Sequence, residues 1–232
     1  MGVRLRVAGY NVQSFRAGQA AAAAALTESL DGDPPDLVLL QECGARRAVA
    51  RFAQLLGMEA VSTHRPLNRV RNAVLYRAPW RLGGAPTVVD LSRQSRTLRR
   101  GFIAAPLRAD IVRVTAVSAH LGLAPAQRAR HAAELTDFLA GLRGPVVVGA
   151  DLNEGPDGLA AKWVADRLFD AFGVAGQGHG DTFPAGAPTA RIDYLFVSGD
   201  VSVRRAWTGG EGPAPRGSDH RPVLAELELP EA

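Results

Sequence analysis

Eight polar residues stand just past or inside strongly apolar runs, and their types suit one kind of chemistry. They are Asn11 in AGYNVQSF, Glu42 in DLVLLQECG, His120 in VTAVSAHLG, Asp151 and Asn153 in VVVGADLNEG, Asp193 in RIDYLFVSG, and Asp219 with His220 in GSDHRPVL. Carboxylates, amides and imidazoles delivered repeatedly to one rim of a sheet are what metal-assisted phosphate chemistry requires. That chemistry needs a cation to neutralise charge, an activated water, donors for the developing oxyanion and help for the leaving group.

Each residue also has an ordinary structural use. Glu42 follows Leu37-Val38-Leu39-Leu40. A carboxylate there is costly to bury unless it is paired, hydrogen-bonded or bound to a hard cation such as Mg²⁺, and it could equally cap the following helix. Asp151 and Asn153 are two apart, so in an extended segment both side chains point the same way. Asp151 could accept a proton from water while Asn153 orients it, or the two could build an Asx turn into Gly155-Pro156. Asp193 calls for a histidine, because a carboxylate fixes an imidazole's tautomer and raises its basicity. His220 is the candidate, leaving Asp219 free to reach a metal. His120 could donate to a phosphate oxygen, protonate a leaving group, or simply be hydrogen-bonded. His64, His131 and His179 lack comparable context. Ser218 has no base of its own, so no covalent nucleophile stands out and direct attack by water is expected.

The elements that must position these groups follow from the apolar pattern. Runs near residues 3–11, 36–41, 72–77, 101–108, 111–119, 145–150, 192–198 and 222–229 predict strands. Helices are expected near 17–30, 45–56, 126–142 and 157–168, the third with Leu135, Phe138, Leu139 and Leu142 facing the core. Strands with interspersed helices and sites at strand ends suggest an α/β protein of two packed sheets with helices outside. No Pro/Gly/Ser-rich linker divides the chain, so a single domain over residues 1–232 is expected. The segment Asp181-Thr182-Phe183-Pro184 is expected to shape a loop over the site.

Composition narrows the setting. There is no run of about 18 apolar residues, which argues against a membrane span. Strand character begins at Val3, and the simplest expectation is a cytoplasmic location and a monomer. The single cysteine, Cys43, excludes an intrachain disulfide and a Cys-rich zinc site, and it reads as a small core residue. The net charge is only +4, yet Lys162 is the sole lysine among 27 basic residues. Arginine binds phosphate through a planar fork, so a phosphorylated substrate, nucleic acid included, would suit it. Arg93, Arg96, Arg99 and Arg100, with Arg204 and Arg205, form either a phosphate-tracking surface or ordinary solvated faces. Trp80, Trp163 and Trp207 are scattered and read as packing residues.

The set N-V-Q, L-L-Q-E, S-A-H-L, G-A-D-L-N, R-I-D-Y and G-S-D-H resembles the endonuclease/exonuclease/phosphatase superfamily, the DNase I-like group. Those motifs run from residue 9 to residue 224 in the family's order. The resemblance implies a four-layer α/β sandwich, two β-sheets packed together and flanked by helices. It implies that Asn11 and Glu42 form the main metal site, supported by Asp219, for Mg²⁺ or Mn²⁺. Asp151 would be the general base, with Asn153 holding the water or phosphate. Asp193 and His220 would stabilise the transition state, and His120 would contact the phosphate or leaving oxygen. Two departures stand out. Gln13 replaces an acid that some nucleases of the group carry, which puts a second metal position in doubt. In Asn68–Leu75 the family's glycine is Arg71, so Asn72 would sit near the phosphate with Arg71 charging the rim. The expected activity is metal-dependent hydrolysis of a P–O bond, most simply by a nuclease or phosphodiesterase acting on DNA or RNA. A phosphatase or phosphodiesterase for a small or lipid phosphate, and a non-catalytic binding module, are the rivals.

Overall fold

The computed structural model describes residues 2–30, 33–63, 71–92, 99–210 and 217–230. Arg93, Arg96, His64 and the Asn68–Val70 part of the Arg71 motif lie outside the described residues.

In chain order the strands are β1 (Val3–Asn11), β2 (Leu37–Gln41), β3 (Glu59–Ser62), β4 (Ala73–Tyr76), β5 (Arg81–Leu82), β6 (Thr87–Asp90) and β7 (Gly101–Ala109). They continue with β8 (Val112–His120), β9 (Val146–Asp151), β10 (Phe169–Asp170), β11 (Gly176–Gln177), β12 (Asp193–Val197), β13 (Ser202–Thr208) and β14 (Val223–Leu229). The helices are α1 (Gln19–Glu28), α2 (Arg46–Leu55), α3 (Pro125–Ala140), α4 (Leu159–Ala165) and α5 (Ala171–Ala175). One sheet runs β11-β13-β14-β1-β2-β4-β3; the other runs β10-β12-β9-β8-β7-β5, with β6 also paired to β7.

Three apolar layers hold four structural layers together, as the sandwich expectation requires. Between the sheets, Leu5, Val7, Leu37, Leu39 and Val74 of the first face Ile103, Ala105, Val147 and Leu195 of the second. On the first sheet's outer face, Ala8, Tyr10, Val38, Leu40 and Leu75 meet Ala22 and Leu26 of α1 and Val49 and Phe52 of α2. On the second sheet's outer face, Phe102, Val117, Val148 and Phe196 meet Leu135 and Leu139 of α3 and Ala160 and Val164 of α4. β2 is buried at every position, which is why it reads as a continuous apolar run rather than an alternating one. The sheets approach closely at Gly149, where a Cβ would lie 2.6 Å from Leu39 Cβ.

Buried polar groups tie the sheets together beneath one end of the sandwich. Gln41 Nε2 of the first sheet donates to Gly149 O at 3.0 Å and Ser118 Oγ at 3.2 Å in the second. Ser118 Oγ donates back to Leu40 O at 2.6 Å. Asn72 Nδ2 donates to Gly101 O and Ser118 O at 3.0 and 2.8 Å. Desolvated groups of this kind are tolerable only when satisfied.

Candidate active site

Strand direction explains why the chemical residues converge. β1 and β2 run parallel with Asn11 opposite Gln41, so both deliver their C-terminal ends to the same rim. β8 and β9 do likewise, with His120 opposite Asp151. β12 runs antiparallel to β9 and therefore begins at that rim, with Asp193 opposite Asp151. β14 runs antiparallel to β1, Gly9 opposite Val223, so Asp219 and His220 arrive there just before it starts. The turn into β14 is tight: a Cβ at Gly217 would collide with Tyr10 and with the α1 backbone at Ala22.

Asp151 is the hub and only 1% exposed. Its Oδ2 accepts from Asn11 Nδ2 at 2.8 Å and lies 3.1 Å from His120 Nε2. Its Oδ1 accepts the Asn153 backbone N–H at 3.0 Å. The Asx turn that the sequence allows therefore forms, and the same carboxylate faces the site. Burial alone would raise the Asp151 pKa; His120, His220 and the Asn11 amide outweigh it and hold the carboxyl well below the usual carboxylate range. Asn153 donates to Leu121 O at 3.0 Å and sits 3.1 Å from His120 Nε2.

His220 Nδ1 pairs with Asp193 Oδ2 at 2.8 Å. The Asp193 backbone N–H donates to the buried Thr182 Oγ1 at 3.3 Å, and Phe183 stacks obliquely on the His220 ring with centroids 4.9 Å apart. The Asp181–Pro184 segment thus supports this pair from outside. Burial pushes the imidazole's pKa down, but Asp193 by charge and hydrogen bond, with Asp151 and Asp219, pushes it up to about 9. Burial and the neighbouring Asp151 also raise Asp193, so the pair holds a proton firmly. Three carboxylates face that ring, which keeps the proton on the imidazole. Asp193 Oδ1 is buried with no hydrogen-bond partner among the described residues, an orphan acceptor beside Asp151.

The expected metal residues share the rim. Gln13 joins two of them: its backbone N–H donates to Asn11 Oδ1 at 3.0 Å and its Nε2 to Asp219 Oδ2 at 2.6 Å. Ser218 Oγ donates to Asn11 O at 2.7 Å, drawing the Asp219 segment onto β1. Glu42 is 33% exposed, and its Oε1 lies 3.4 Å from Arg100 Nη1 and 3.9 Å from His120 Nε2, both long contacts. The Glu42 and Asp219 carboxylates and the Asn11 amide oxygen are hard oxygen donors, the kind that suits a divalent cation. Among the described residues, a second group, Asp151, Asp193 and His220, has ligand atoms within 4.8 Å of one another and could also hold a metal ion.

The rim is conformationally strained. Gln13, Ser14, Phe15, Glu42 and Asn153 are non-glycine residues with φ between 43° and 56°. Asn adopts this region readily; Glu does not, and such outliers gather where geometry serves function.

The remaining expected residues lie as follows. Arg71 is exposed and donates to Ser14 Oγ at 3.2 Å. Asn72 is buried, its amide protons directed to Gly101 O and Ser118 O rather than outward. Arg100 is buried against His120, with Nη1 3.0 Å from Nδ1. Arg204 and Arg205 pair with Glu228 and Glu226 toward the Val3 end of the sheet, away from the rim. Gln13 and Thr182 hold site residues in place. Sequence reading singled out Gln13 only as a missing acid and Thr182 only as part of a loop.

Residues 8–220 match the Endonuclease/Exonuclease/phosphatase family, and the chain belongs to it. It is similar in fold to an endonuclease/exonuclease/phosphatase from Bacteroides vulgatus: 19% identity over 98% of this chain and 100% of that one, TM-score 0.83. A mannosyl-6-phosphatase of Bacteroides thetaiotaomicron VPI-5482 shares 17% identity over 96% of this chain and 99% of its own, TM-score 0.79. The human Nocturnin catalytic domain, solved with a sulfate anion, shares 18% over 97% and 93%, TM-score 0.74. No curated protein matches the chain significantly. No helix among the described residues is long and apolar enough to cross a membrane.

Proposed function

We propose that this protein is a divalent-metal-dependent phosphoesterase that hydrolyses a P–O bond by direct attack of water. The observation that carries the reading is Asp151, a buried carboxylate kept ionised where Asn11, His120, Asn153, Asp193 and His220 converge. An ionised, positioned carboxylate accepts the proton of the attacking water. Asn153 flanks that position and orients water or phosphate. His220, held as an imidazolium by Asp193, offers positive charge to the developing phosphorane. His120 donates to a phosphoryl oxygen. Glu42, Asn11 and Asp219 would hold Mg²⁺ or Mn²⁺, which when bound neutralises phosphate charge and stabilises the leaving oxygen.

On substrate, a nuclease or phosphodiesterase acting on DNA or RNA draws support from the arginine surplus and from exposed Arg71 at the rim. Ion pairing supports a second reading, a phosphatase or phosphodiesterase for a small or lipid phosphate. Arg6, Arg99, Arg128, Arg191, Arg204 and Arg205 each already face a carboxylate, which leaves less free charge for tracking a polymer backbone.

Bis-p-nitrophenyl phosphate, p-nitrophenyl phosphate, plasmid DNA and RNA, each with EDTA, Mg²⁺ or Mn²⁺, test both levels. Metal-dependent hydrolysis lost in Asp151→Asn supports the phosphoesterase; silence on all four with either metal counts against it. For nucleic acid, binding should weaken steeply with salt as counterion release loses its drive, whereas a small phosphate should show little such dependence.

A further inference from the structure

We propose that Arg100 is a positioning residue that sets the tautomer of His120, making that imidazole a hydrogen-bond donor at Nε2. The assignment rests on donor chemistry. Arg100 Nη1 lies 3.0 Å from His120 Nδ1. A guanidinium has only protons to give, so Nδ1 must present its lone pair and the ring proton sits on Nε2. The opposite tautomer would set N–H against N–H.

The Nε2 side agrees. Among the described residues two groups lie within hydrogen-bond distance of it, Asp151 Oδ2 at 3.1 Å and Asn153 Nδ2 at 3.1 Å, with Glu42 Oε1 farther off at 3.9 Å. The Asn153 amide nitrogen has only protons to give, one of them to Leu121 O at 3.0 Å, so it cannot accept one from Nε2. Only the Asp151 carboxylate can receive the Nε2 proton.

Arg100 is placed by the protein rather than by a ligand. It precedes β7, whose Gly101 pairs with His120 of β8. Its carbonyl accepts the Leu91 N–H at 3.0 Å. Glu42 Oε1, 3.4 Å from the same Nη1, steadies the guanidinium from another side.

The two imidazoles of the site therefore have opposite polarity. His220 has a carboxylate at Nδ1 and donates there; His120 has an arginine at Nδ1 and accepts there. A carboxylate partner prepares a histidine to take up a proton at its far nitrogen. An arginine partner leaves the far nitrogen a fixed donor. On the phosphoesterase reading, on which this consequence rests, the single Nε2–H that faces Asp151 in the free site turns to a phosphoryl oxygen when substrate binds, and Asp151 is left to take the proton of the water. It also makes Arg100 a residue that acts through His120 rather than one that grips substrate.

The test uses protein carrying ¹⁵N-labelled histidine, with His120→Asn to assign the signals. A long-range ¹H–¹⁵N spectrum of the wild type should show the Nε2–H form for His120. Arg100→Lys, which keeps a donor, should preserve it; Arg100→Met should lose it. With Mg²⁺ and bis-p-nitrophenyl phosphate, Arg100→Met should lower kcat by roughly 10- to 100-fold, as misplacing a reacting group does, while KM changes little. A wild-type spectrum showing the Nδ1–H form would overturn the proposal. So would an Arg100→Met enzyme with normal kcat and a raised KM, since that marks a direct substrate contact. The wild-type spectrum requires no turnover, so once the His120 signals are assigned it decides the tautomer even if the phosphoesterase reading fails.

Discussion

Asp193 and His220 form their 2.8 Å pair across the mouth of the sandwich, Asp193 opening a strand of one sheet and His220 preceding a strand of the other. Asn11 and Asp151 make a second such bridge, also at 2.8 Å and between residues 140 positions apart. The site is thus stitched from both sheets, and the Gln41, Ser118 and Asn72 bonds lie under the same end. The geometry of the candidate site and the packing of the sheets share one set of contacts.

Asp151→Asn should abolish measurable turnover while leaving the fold in place. The amide is nearly isosteric and cannot accept a proton from water, so a loss of at least about 10²-fold in kcat is expected. Circular dichroism should be unchanged, and near-normal turnover would remove Asp151 from the role of base.

The His220 pair predicts an alkaline limit. An ordinary histidine titrates near 6.5, whereas His220 is pushed up to about 9. Because the folded value is the higher, the stability it contributes is complete below about 6.5 and is lost as pH rises through about 9. Activity needing the imidazolium should fall over the same alkaline limb. Asp193→Asn removes the main upward influence, so its limb should move to lower pH. An unmoved limb in that variant's pH–rate profile would show that another group sets it.

Much of this site was legible because its residues stand where apolar runs stop: Glu42 after Leu37–Leu40, Asp151 after Val146–Ala150, Asp193 before Tyr194–Val197. The strands that escaped notice carry no such run. β3 is exposed or half-buried throughout, and the pattern of β13 is broken by a register shift between Val203 and Arg205. Partnerships across the sheets were hidden for a different reason. Local periodicity reports which face a residue takes, not what meets it from the other sheet. That is why Asn72, expected beside a phosphate, spends its amide on Gly101 and Ser118 carbonyls. It is also why Arg100 read as a surface charge when its guanidinium lies against His120.

Glu42→Gln should weaken metal binding. Replacing a carboxylate by an amide removes a full charge from a hard-oxygen set while preserving its size. Activity should then require more Mg²⁺ for half-saturation, with maximal activity partly recovered at high metal. An unchanged isothermal titration would take Glu42 out of contact with the ion.

Asn72→Ala should cost stability more than chemistry. Removing the amide takes a donor from two buried carbonyls, Gly101 O and Ser118 O, each with a penalty of about 1–3 kcal/mol, so a loss of roughly 2–6 kcal/mol is expected. In a chain of this size each kcal/mol lowers Tm by about 2–4 °C. KM for a small phosphodiester should stay near the wild-type value, because the amide faces the second sheet rather than the rim. A raised KM with unchanged Tm would place Asn72 on the substrate instead.

Buried His131 predicts an acid limit remote from catalysis. Its Nε2 donates to Ser92 O at 2.8 Å, and its Nδ1 accepts the Gly122 N–H at 3.2 Å. The ring thereby joins the end of β6 to the turn after β8. Burial lowers its pKa, and Arg100 and Arg130 add to that against the raising influences of the Ser92 carbonyl and Glu134. With the folded value below the unfolded one, the unfolded chain binds more protons as pH falls. The stabilisation is therefore complete above about 6.5 and drains away on acidification below it. Urea unfolding at several pH values between about 5 and 7.5 should show this slope. In His131→Gln, which cannot titrate, the slope should flatten while stability at neutral pH drops, since one buried bond is remade less well. A slope that survives the substitution would assign the acid sensitivity to other groups.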